Sequence, residues 1–183
     1  MNRENISLLD ELGRGQFGTV MEGSAVNLPN SNGRTTRVAV KFLKETITDN
    51  ERKIFMKEAI NASRLDHDNV LKLLAVCFDS EPCFLVFEFM SNGDLKTYLR
   101  MCENFHQIRT MTSSTSLSSP DVPLLTTVHM LKFARDASCG LAYLSSLKFV
   151  HRDIAARNVL LDHNFVAKLG DFGMARQLYQ SEV

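Results

Sequence analysis

The stretch His151-Arg-Asp-Ile-Ala-Ala-Arg-Asn158 decides how the rest of the chain is interpreted. It places a carboxylate, two guanidinium groups and a carboxamide within eight residues, directly after a long helical pattern. Asp171-Phe-Gly173 follows it, and Val38-Ala-Val-Lys41 precedes it on an apolar run that is typical of a strand. These three motifs are candidates for the chemical site of the chain.

The segment Gly13-Arg-Gly-Gln-Phe-Gly18 is a fourth candidate, near the start of the chain. Glycines at this spacing let a backbone approach phosphate groups closely, with N–H groups directed at the anion. The dinucleotide-binding form of the pattern needs a helix that begins there, whereas Thr19-Val20 continues as a β-branched run. We therefore expect a strand, a turn and a second strand. Taken alone, the pattern is equally typical of a plain glycine-rich hairpin.

Lys41 and Glu58 could form a charge pair. Lys41 ends an apolar run, and a lysine that points into an apolar region needs an anionic partner. Glu58 lies in a predicted helix 17 residues later and could be that partner. Taken separately, each is more often a solvent-facing residue, so the pair is a hypothesis.

Five short β-rich segments and one helix make up the first half of the chain. Phe55, Ala59 and Ala62 recur at helical spacing after the cap-type residues 48–50, which predicts one buried stripe facing a sheet. The strands are predicted at 6–12, 19–23, 37–43, 70–78 and 83–89.

The second half is predicted to be mainly helical. The boundary falls at Asn92-Gly93, so the predicted domains are 1–90 and 91–183. The predicted elements are a short helix at 94–101, a flexible Ser/Thr-rich insertion at about 102–123, a long helix at about 125–146 and two β-like runs at 159–161 and 166–169. The buried face of the long helix is predicted to carry Met130, Ala134, Ala137, Leu141 and Leu144.

Composition and charge exclude several classes of protein. Among 183 residues, 21 basic and 21 acidic side chains balance, which argues against a nucleic-acid binder held by electrostatics. The hydrophobic share of 44% argues against a disordered chain. The longest apolar run, Leu73–Phe78, is far too short to span a membrane. The four cysteines contain no C-x-x-C pair, so we expect reduced thiols in a cytosolic setting.

Taken together, the motifs resemble those of the protein kinase family in kind, order and structural context. Ala155-Ala-Arg157 resembles the tyrosine-specific branch. Asn92-Gly-Asp-Leu95 and Leu178-Tyr179 resemble receptor tyrosine kinases of the discoidin-domain, neurotrophin and muscle-specific receptor group. The resemblance implies an α+β, protein-kinase-like bilobal fold, with a complete five-stranded N-lobe, a helix C and a partial helical C-lobe.

The resemblance also implies ATP and Mg²⁺ as cofactors. The glycines would cover the ATP phosphates, Lys41 would contact them, apolar side chains would enclose the adenine, and the linker backbone would bond the adenine edge. Asn158 and Asp171 would hold Mg²⁺. The implied nucleotide-binding residues are Gly13, Gly15, Gly18, Val20, Ala39, Lys41, Glu88, Met90 and Leu160.

The implied reaction is ATP-dependent phosphoryl transfer to a tyrosine of a protein substrate. Asp153 would accept or orient the proton of the tyrosine hydroxyl, and Arg157 would place that hydroxyl. A second kinase domain is a possible dimer partner, and membership of a receptor would put the domain at the cytoplasmic side of the plasma membrane. The implied catalytic residues are Lys41, Glu58, Asp153, Arg157 and Asn158.

Ala62 departs from the family pattern, which usually has Leu or Met at this position to pack behind Asp-Phe-Gly. The smaller side chain could cost about 2–5 kcal/mol of stability if the gap is not refilled.

Two further residues match family positions. Phe87 matches the residue that lines the back of the nucleotide pocket. Arg152 matches a residue that pairs with a phosphorylated tyrosine, for which Tyr179 is the only tyrosine left in the segment.

The chain ends ten residues after Gly173, before the Ala-Pro-Glu motif of the family. We therefore predict that the isolated 183-residue chain does not phosphorylate tyrosine with Mg·ATP, because the substrate-binding platform would be missing. Phosphotyrosine formation on a protein substrate is the measurement, and turnover that vanishes in Asp153→Asn would contradict the prediction. The alternative function is a non-catalytic, truncated module that binds nucleotide or a partner and regulates it.

Overall fold

The computed structural model describes residues 1–15, 18–29, 31, 33–44, 48–79, 81–111 and 125–178. Its first half contains the strands β1 (Ile6–Arg14), β2 (Gly18–Ala25), β3 (Thr36–Leu43), β4 (Leu73–Cys77) and β5 (Phe84–Glu88). They form one antiparallel sheet in the order β1-β2-β3-β5-β4. The five predicted strands are therefore confirmed, whereas the division of the chain into two domains stays a prediction.

Helix α1 (Asp49–Ala62) follows β3 in the chain. Thr48 and Glu51 cap its first turn reciprocally, since each side chain accepts a hydrogen bond from the backbone amide of the other. The predicted apolar stripe is confirmed, and two polar side chains lie on the same buried face. The buried residues of α1 are Phe55, Glu58, Ala59, Asn61 and Ala62.

Helix α2 (Leu95–Met111) is longer than the helix predicted at 94–101. The segment 102–111 contains no glycine or proline and includes Glu, Gln, Arg and Met, which favour helices, so the helix continues through it. The predicted start of the insertion, at about 102, is therefore wrong. The rest of the predicted insertion, 112–123, lies outside the described residues.

Helix α3 (Thr127–Ser146) confirms the predicted long helix, but only part of the predicted face is buried. Met130 and Ala134 are exposed, and Ala137 and Leu141 are only half-buried. The buried residues of α3 are Phe133, Asp136, Gly140 and Leu144. The apolar pattern predicted Leu144 correctly, and Ala137 and Leu141 pack against the larger core, but it could not place a carboxylate and a glycine on the buried face.

Asp136 links α3 to the short strands that follow it. These are β6 (Phe149–Val150), β7 (Val159–Leu161), β8 (Ala167–Leu169) and β9 (Arg176–Gln177), which form the pairs β6–β9 and β7–β8. The Asp136 carboxylate accepts hydrogen bonds from Arg135 at 2.8 Å and from Lys132 and the Ala167 amide at 3.2 Å. Burial opposes ionisation, but these donors outweigh it and hold the pKa of Asp136 below its ordinary value.

The two faces of the five-stranded sheet pack against different clusters of buried residues. Ala39 of β3 lies opposite Phe87 of β5, and Lys41 lies opposite Leu85. Because successive residues of a strand alternate between faces, these four share one face. That face belongs to the larger core, which continues through Phe172 into the second half of the chain.

Two further predictions from composition concern membrane segments and thiols. Within the described ranges, no helix combines the length and the apolar character needed to cross a membrane. All four cysteines are free thiols, as expected, and the cytosolic setting stays a prediction; Cys77, Cys83 and Cys102 are buried and Cys139 is exposed.

We expect Gly18 to tolerate no side chain. A Cβ atom at Gly18 would overlap the backbone carbonyl of Phe42 on β3, whereas a Cβ atom at Gly13 would meet no atom within 4 Å. Gly18→Ala should therefore lower the free energy of unfolding by about 1–3 kcal/mol. Gly13→Ala should change it by less than about 0.5 kcal/mol. Urea unfolding of both variants measures the difference, and equal stabilities would contradict the close approach of β2 to β3.

Candidate active site

The register of the sheet gathers several predicted nucleotide-binding residues on one face. Val20 of β2 lies opposite Lys41 of β3, and Ala39 lies two residues before Lys41 on the same strand. Residues two apart on a strand share a face. Val20, Ala39 and Lys41 therefore lie on the same side of the sheet as Phe87, the predicted guard of the pocket.

Lys41 and Glu58 form the pair that the sequence left as a hypothesis. The Lys41 ammonium donates to both carboxylate oxygens of Glu58, each at 2.7 Å. The Glu58 side chain is 4% exposed and the Lys41 side chain 18%. Burial raises the pKa of Glu58, an effect that Lys41 opposes and the negative charge of Asp171 reinforces. Removing either residue would leave the other as a buried, unpaired charge, which costs about 3–5 kcal/mol of stability.

Asp153 is held by two side chains of its own loop. Asn158 Nδ2 donates to the Asp153 backbone carbonyl and to Oδ2, both at 2.8 Å, and Arg157 Nη2 donates to Oδ1 at 2.5 Å. The Asn158 carboxamide, aided by the Arg157 guanidinium, holds the pKa of the Asp153 carboxyl below its ordinary value. At neutral pH the Asp153 side chain is therefore an ionised hydrogen-bond acceptor.

His151 ties this loop to the residue that precedes Asp171. The Asp153 N–H donates to His151 Nδ1 at 3.3 Å, so Nδ1 carries no proton and Nε2 donates to the Gly170 carbonyl at 2.9 Å. The Gly170 N–H in turn donates to the Asn158 carbonyl at 2.8 Å. Both peptide groups around Gly170 are thus bonded to the loop that carries Asp153.

Asp171 lies beside the buried ion pair. Its backbone is in the left-handed region, with φ of +60°, a conformation that costs energy for a residue other than glycine. The next side chain, Phe172, is buried, with its ring centroid 5.1 Å from that of His151. A Cβ atom at Gly173 would lie 3.9 Å from Glu58 Oε2. The turn that begins at Asp171 therefore packs directly on α1.

The linker after β5 offers a backbone donor to a ligand. Met90 is buried, and among the described residues none accepts a hydrogen bond from its N–H group. The Met90 N–H is therefore available to a hydrogen-bond acceptor on a ligand. The side chain of Glu88 is engaged elsewhere, since it accepts from Lys168 at 2.7 Å and from the Lys72 amide at 2.8 Å.

Leu160 on β7 lies between the linker and the segment that carries Asp171. It is half-buried and packs against the larger core. It forms an isolated antiparallel β-bridge with Asp94, just before α2. A Cβ atom at Gly170 would lie 3.4 Å from Leu160 Cδ1. This position suits the apolar wall that the sequence predicted for it.

The predicted phosphate-covering glycines differ in their surroundings. A Cβ atom at Gly13, near the end of β1, would meet no atom within 4 Å, and one at Gly15, just after β1, would lie 3.9 Å from the Gly18 carbonyl oxygen. Residues 16–17 lie outside the described ranges. Gly18 is buried and is required by its close approach to β3. The close packing of β2 against β3 therefore requires glycine at position 18, whether or not a phosphate binds.

Asn158 and Asp171 fit a Mg²⁺ ion only together with ligand oxygens. Asn158 uses its Nδ2 for Asp153, which leaves its side-chain oxygen for a cation, and Asp171 supplies a carboxylate. The described part of the chain contains no cluster of three or more His, Cys, Asp or Glu side chains that could hold a metal. Mg²⁺ is commonly bound by one or two carboxylates with water and substrate phosphates. The donor set therefore fits a Mg²⁺ that arrives with a nucleotide.

The predicted pairing of Arg152 with Tyr179 falls outside the described residues, because Tyr179 is not among them. Arg152 itself is exposed and has a left-handed backbone, with φ of +71°.

Asn61 is a residue beside the site that sequence reasoning missed. The signal was a carboxamide three residues after Glu58 on the buried face of α1, where a polar group needs a partner.

Comparisons with known proteins agree with these motifs. The sequence model described as "Protein tyrosine and serine/threonine kinase" matches residues 6–183. Proto-oncogene tyrosine-protein kinase ROS of Rattus norvegicus is 42% identical over 98% of this chain and 7% of its own length. The tyrosine-protein kinase transforming protein ros of UR2 avian sarcoma virus is 39% identical over 98% of this chain and 43% of its own length. The high affinity nerve growth factor receptor of Gallus gallus is 39% identical over 100% of this chain and 22% of its own length.

The chain thus spans less than half the length of these curated relatives. The family match includes all of the motifs, and the five-stranded sheet with its helix is the predicted fold of the N-lobe. Two of the three relatives are named as tyrosine-protein kinases. The chain therefore belongs to the protein tyrosine and serine/threonine kinase family.

Proposed function

We propose that the chain supplies the nucleotide-binding and catalytic-loop part of an ATP-dependent kinase that phosphorylates tyrosine in protein substrates. The observation that carries the proposal is the meeting of three features in one site. The buried Lys41–Glu58 pair lies against the turn after Asp171, and Gly170 bonds that segment to the loop of Asp153. Phosphoryl transfer needs charge neutralisation and alignment more than covalent help from the protein, and these groups are suited to both.

Each part of the site has a task in nucleotide binding. Val20 and Ala39 would cover the adenine, and the free Met90 N–H would donate to its edge. Lys41, fixed in place by Glu58, would contact the α- and β-phosphates. Bound Mg²⁺ would neutralise charge on the phosphates, and Asn158 and Asp171 would hold it.

Asp153 would act on the substrate hydroxyl. Because the pKa of Asp153 is held below its ordinary value, its carboxylate is ionised and weakly basic. Its main contribution would be a hydrogen bond that orients the tyrosine oxygen toward the phosphorus, with proton acceptance late in the transfer. Arg157, bonded to Asp153, would place the hydroxyl beside this carboxylate.

The wider setting is also part of the proposal. One relative is named as a receptor, which supports a receptor tyrosine kinase domain at the cytoplasmic side of the plasma membrane. Protein tyrosines would be the substrates, and a second kinase domain would be the dimer partner.

Lys41 should decide nucleotide affinity. We expect Lys41→Met to weaken Mg·ATP binding roughly 10–100-fold, because a charge-assisted contact to the phosphates is lost. Lys57→Met is the matched control, since Lys57 is an exposed lysine next to Glu58 on α1. Isothermal titration of the 183-residue chain with Mg·ATP measures both affinities. Equal losses in the two variants, or no binding by the unmodified chain, would contradict the proposed site.

Asp171 should be required for the effect of Mg²⁺ and not for recognition of the base. We expect Asp171→Asn to remove most of the Mg²⁺-dependent increase in ATP affinity, about tenfold, and to leave adenosine affinity unchanged, because adenosine has no phosphates to bridge. Asp79→Asn is the control, since Asp79 is exposed and lies away from the site, after β4. An Asp171→Asn variant that keeps its full response to Mg²⁺ would remove Asp171 from the proposed ligand set.

A further inference from the structure

We propose that Asn61 is a positioning residue, which fastens the turn after Asp171 to α1 and so keeps Asp171 in place for a Mg²⁺-bound nucleotide. This inference rests on the function proposed above. Asn61 lies on the helix that carries Glu58, and its side chain donates to Phe172 and Ala175, neither of which is a predicted nucleotide-binding or catalytic residue.

The contact is a pair of hydrogen bonds from one carboxamide. Residues 172–175 form a turn that begins directly after Asp171 and closes with a hydrogen bond from the Ala175 amide to the Phe172 carbonyl at 3.1 Å. Asn61 Nδ2 donates to the carbonyl oxygens of Phe172 and Ala175, both at 3.1 Å. The two hydrogens of one NH₂ group therefore hold the first and last residues of the turn.

The contact is buried at both ends. Asn61 is 8% exposed, and Phe172 and Ala175 are each 1% exposed. Without Asn61 the buried Ala175 carbonyl would lose this donor and keep its desolvation penalty, whereas the Phe172 carbonyl would retain the Ala175 amide. Water cannot reach the Ala175 carbonyl without opening the packing. The partners are 111 and 114 residues apart in the chain, so the contact is tertiary and not a local cap.

Asn61 and Glu58 act from the same face of α1. They are three residues apart, which places them on neighbouring turns of one side of the helix. Glu58 holds Lys41 on the sheet, and Asn61 holds the turn after Asp171. A shift of α1 away from the site would break both attachments, so the helix sets the position of Lys41 and of Asp171 together.

Ala62 explains why the attachment is made with hydrogen bonds. Ala62 is buried in the same core as Phe172, but an alanine offers few atoms for contact. The larger apolar side chain that the family usually carries there would pack behind the Asp-Phe-Gly turn. In this chain the neighbouring carboxamide supplies a polar attachment in its place.

The test compares Asn61→Asp and Asn61→Ala with the unmodified 183-residue chain. The first keeps the size of the side chain and removes both donors, and the second provides a variant without added charge if the first does not fold. Asn69→Asp is the matched control, because Asn69 is similarly buried and its Nδ2 donates at 3.0 Å to the backbone carbonyl of Ala167 on β8, which is not part of this turn. The ligands are ATP with Mg²⁺, ATP without Mg²⁺, and adenosine.

We expect the Asn61 variants to lose about tenfold in the Mg²⁺-dependent part of ATP affinity, while adenosine affinity stays unchanged. The Asn69→Asp control should keep its response to Mg²⁺. A purely structural role for Asn61 would lower all affinities alike or none of them, and either result would overturn the proposal.

Hydrogen exchange of the unliganded chain gives a readout that needs no nucleotide. The amides of residues 173–176 should exchange about tenfold faster in Asn61→Ala, and those of the five-stranded sheet should not change. Unchanged exchange in the turn would overturn the attachment itself. Faster exchange in a chain that binds no nucleotide would instead refute the proposed function, and with it the positioning role, while the attachment would stand.

Discussion

The site depends on one buried ion pair, between Lys41 on β3 and Glu58 on α1. Removing two charges from water is costly, and their mutual attraction compensates only while both are present and in contact. The sheet and the helix are therefore held at one separation, and α1 can carry other groups to fixed places. The turn after Asp171 is one of these groups, because Gly173 packs against the same carboxylate.

The sequence best predicted those parts of the site that depend on residues close together in the chain. Alternation of apolar residues predicted β3, the strand that carries Lys41, and cap-type residues predicted the start of α1. The spacing of His151, Asp153 and Asn158 within one loop made their meeting easy to foresee. Motif order then linked these segments without any knowledge of distances.

What the sequence could not predict were contacts between distant segments. Asp136 is buried because a strand amide 31 residues later donates to it, and that partner is invisible in a helical pattern. Asn61 finds its partners more than 100 residues away. Gly18 is also explained by a distant segment. The sequence predicted that this glycine covers a phosphate, and the structure shows that the neighbouring strand β3 leaves no room for a side chain there. In each case a polar or small residue interrupts an apolar pattern, and only its partner explains why.

The engagement of Glu88 with Lys168 has a consequence for how the linker evolves. With that carboxylate turned to β8, the linker presents peptide groups to the site, and peptide groups are the same whatever side chains accompany them. Selection for a given ligand edge would then act on the path of the backbone and hardly on the identity of the linker residues. Related chains could then differ in exposed linker side chains and still present the same peptide groups to the site.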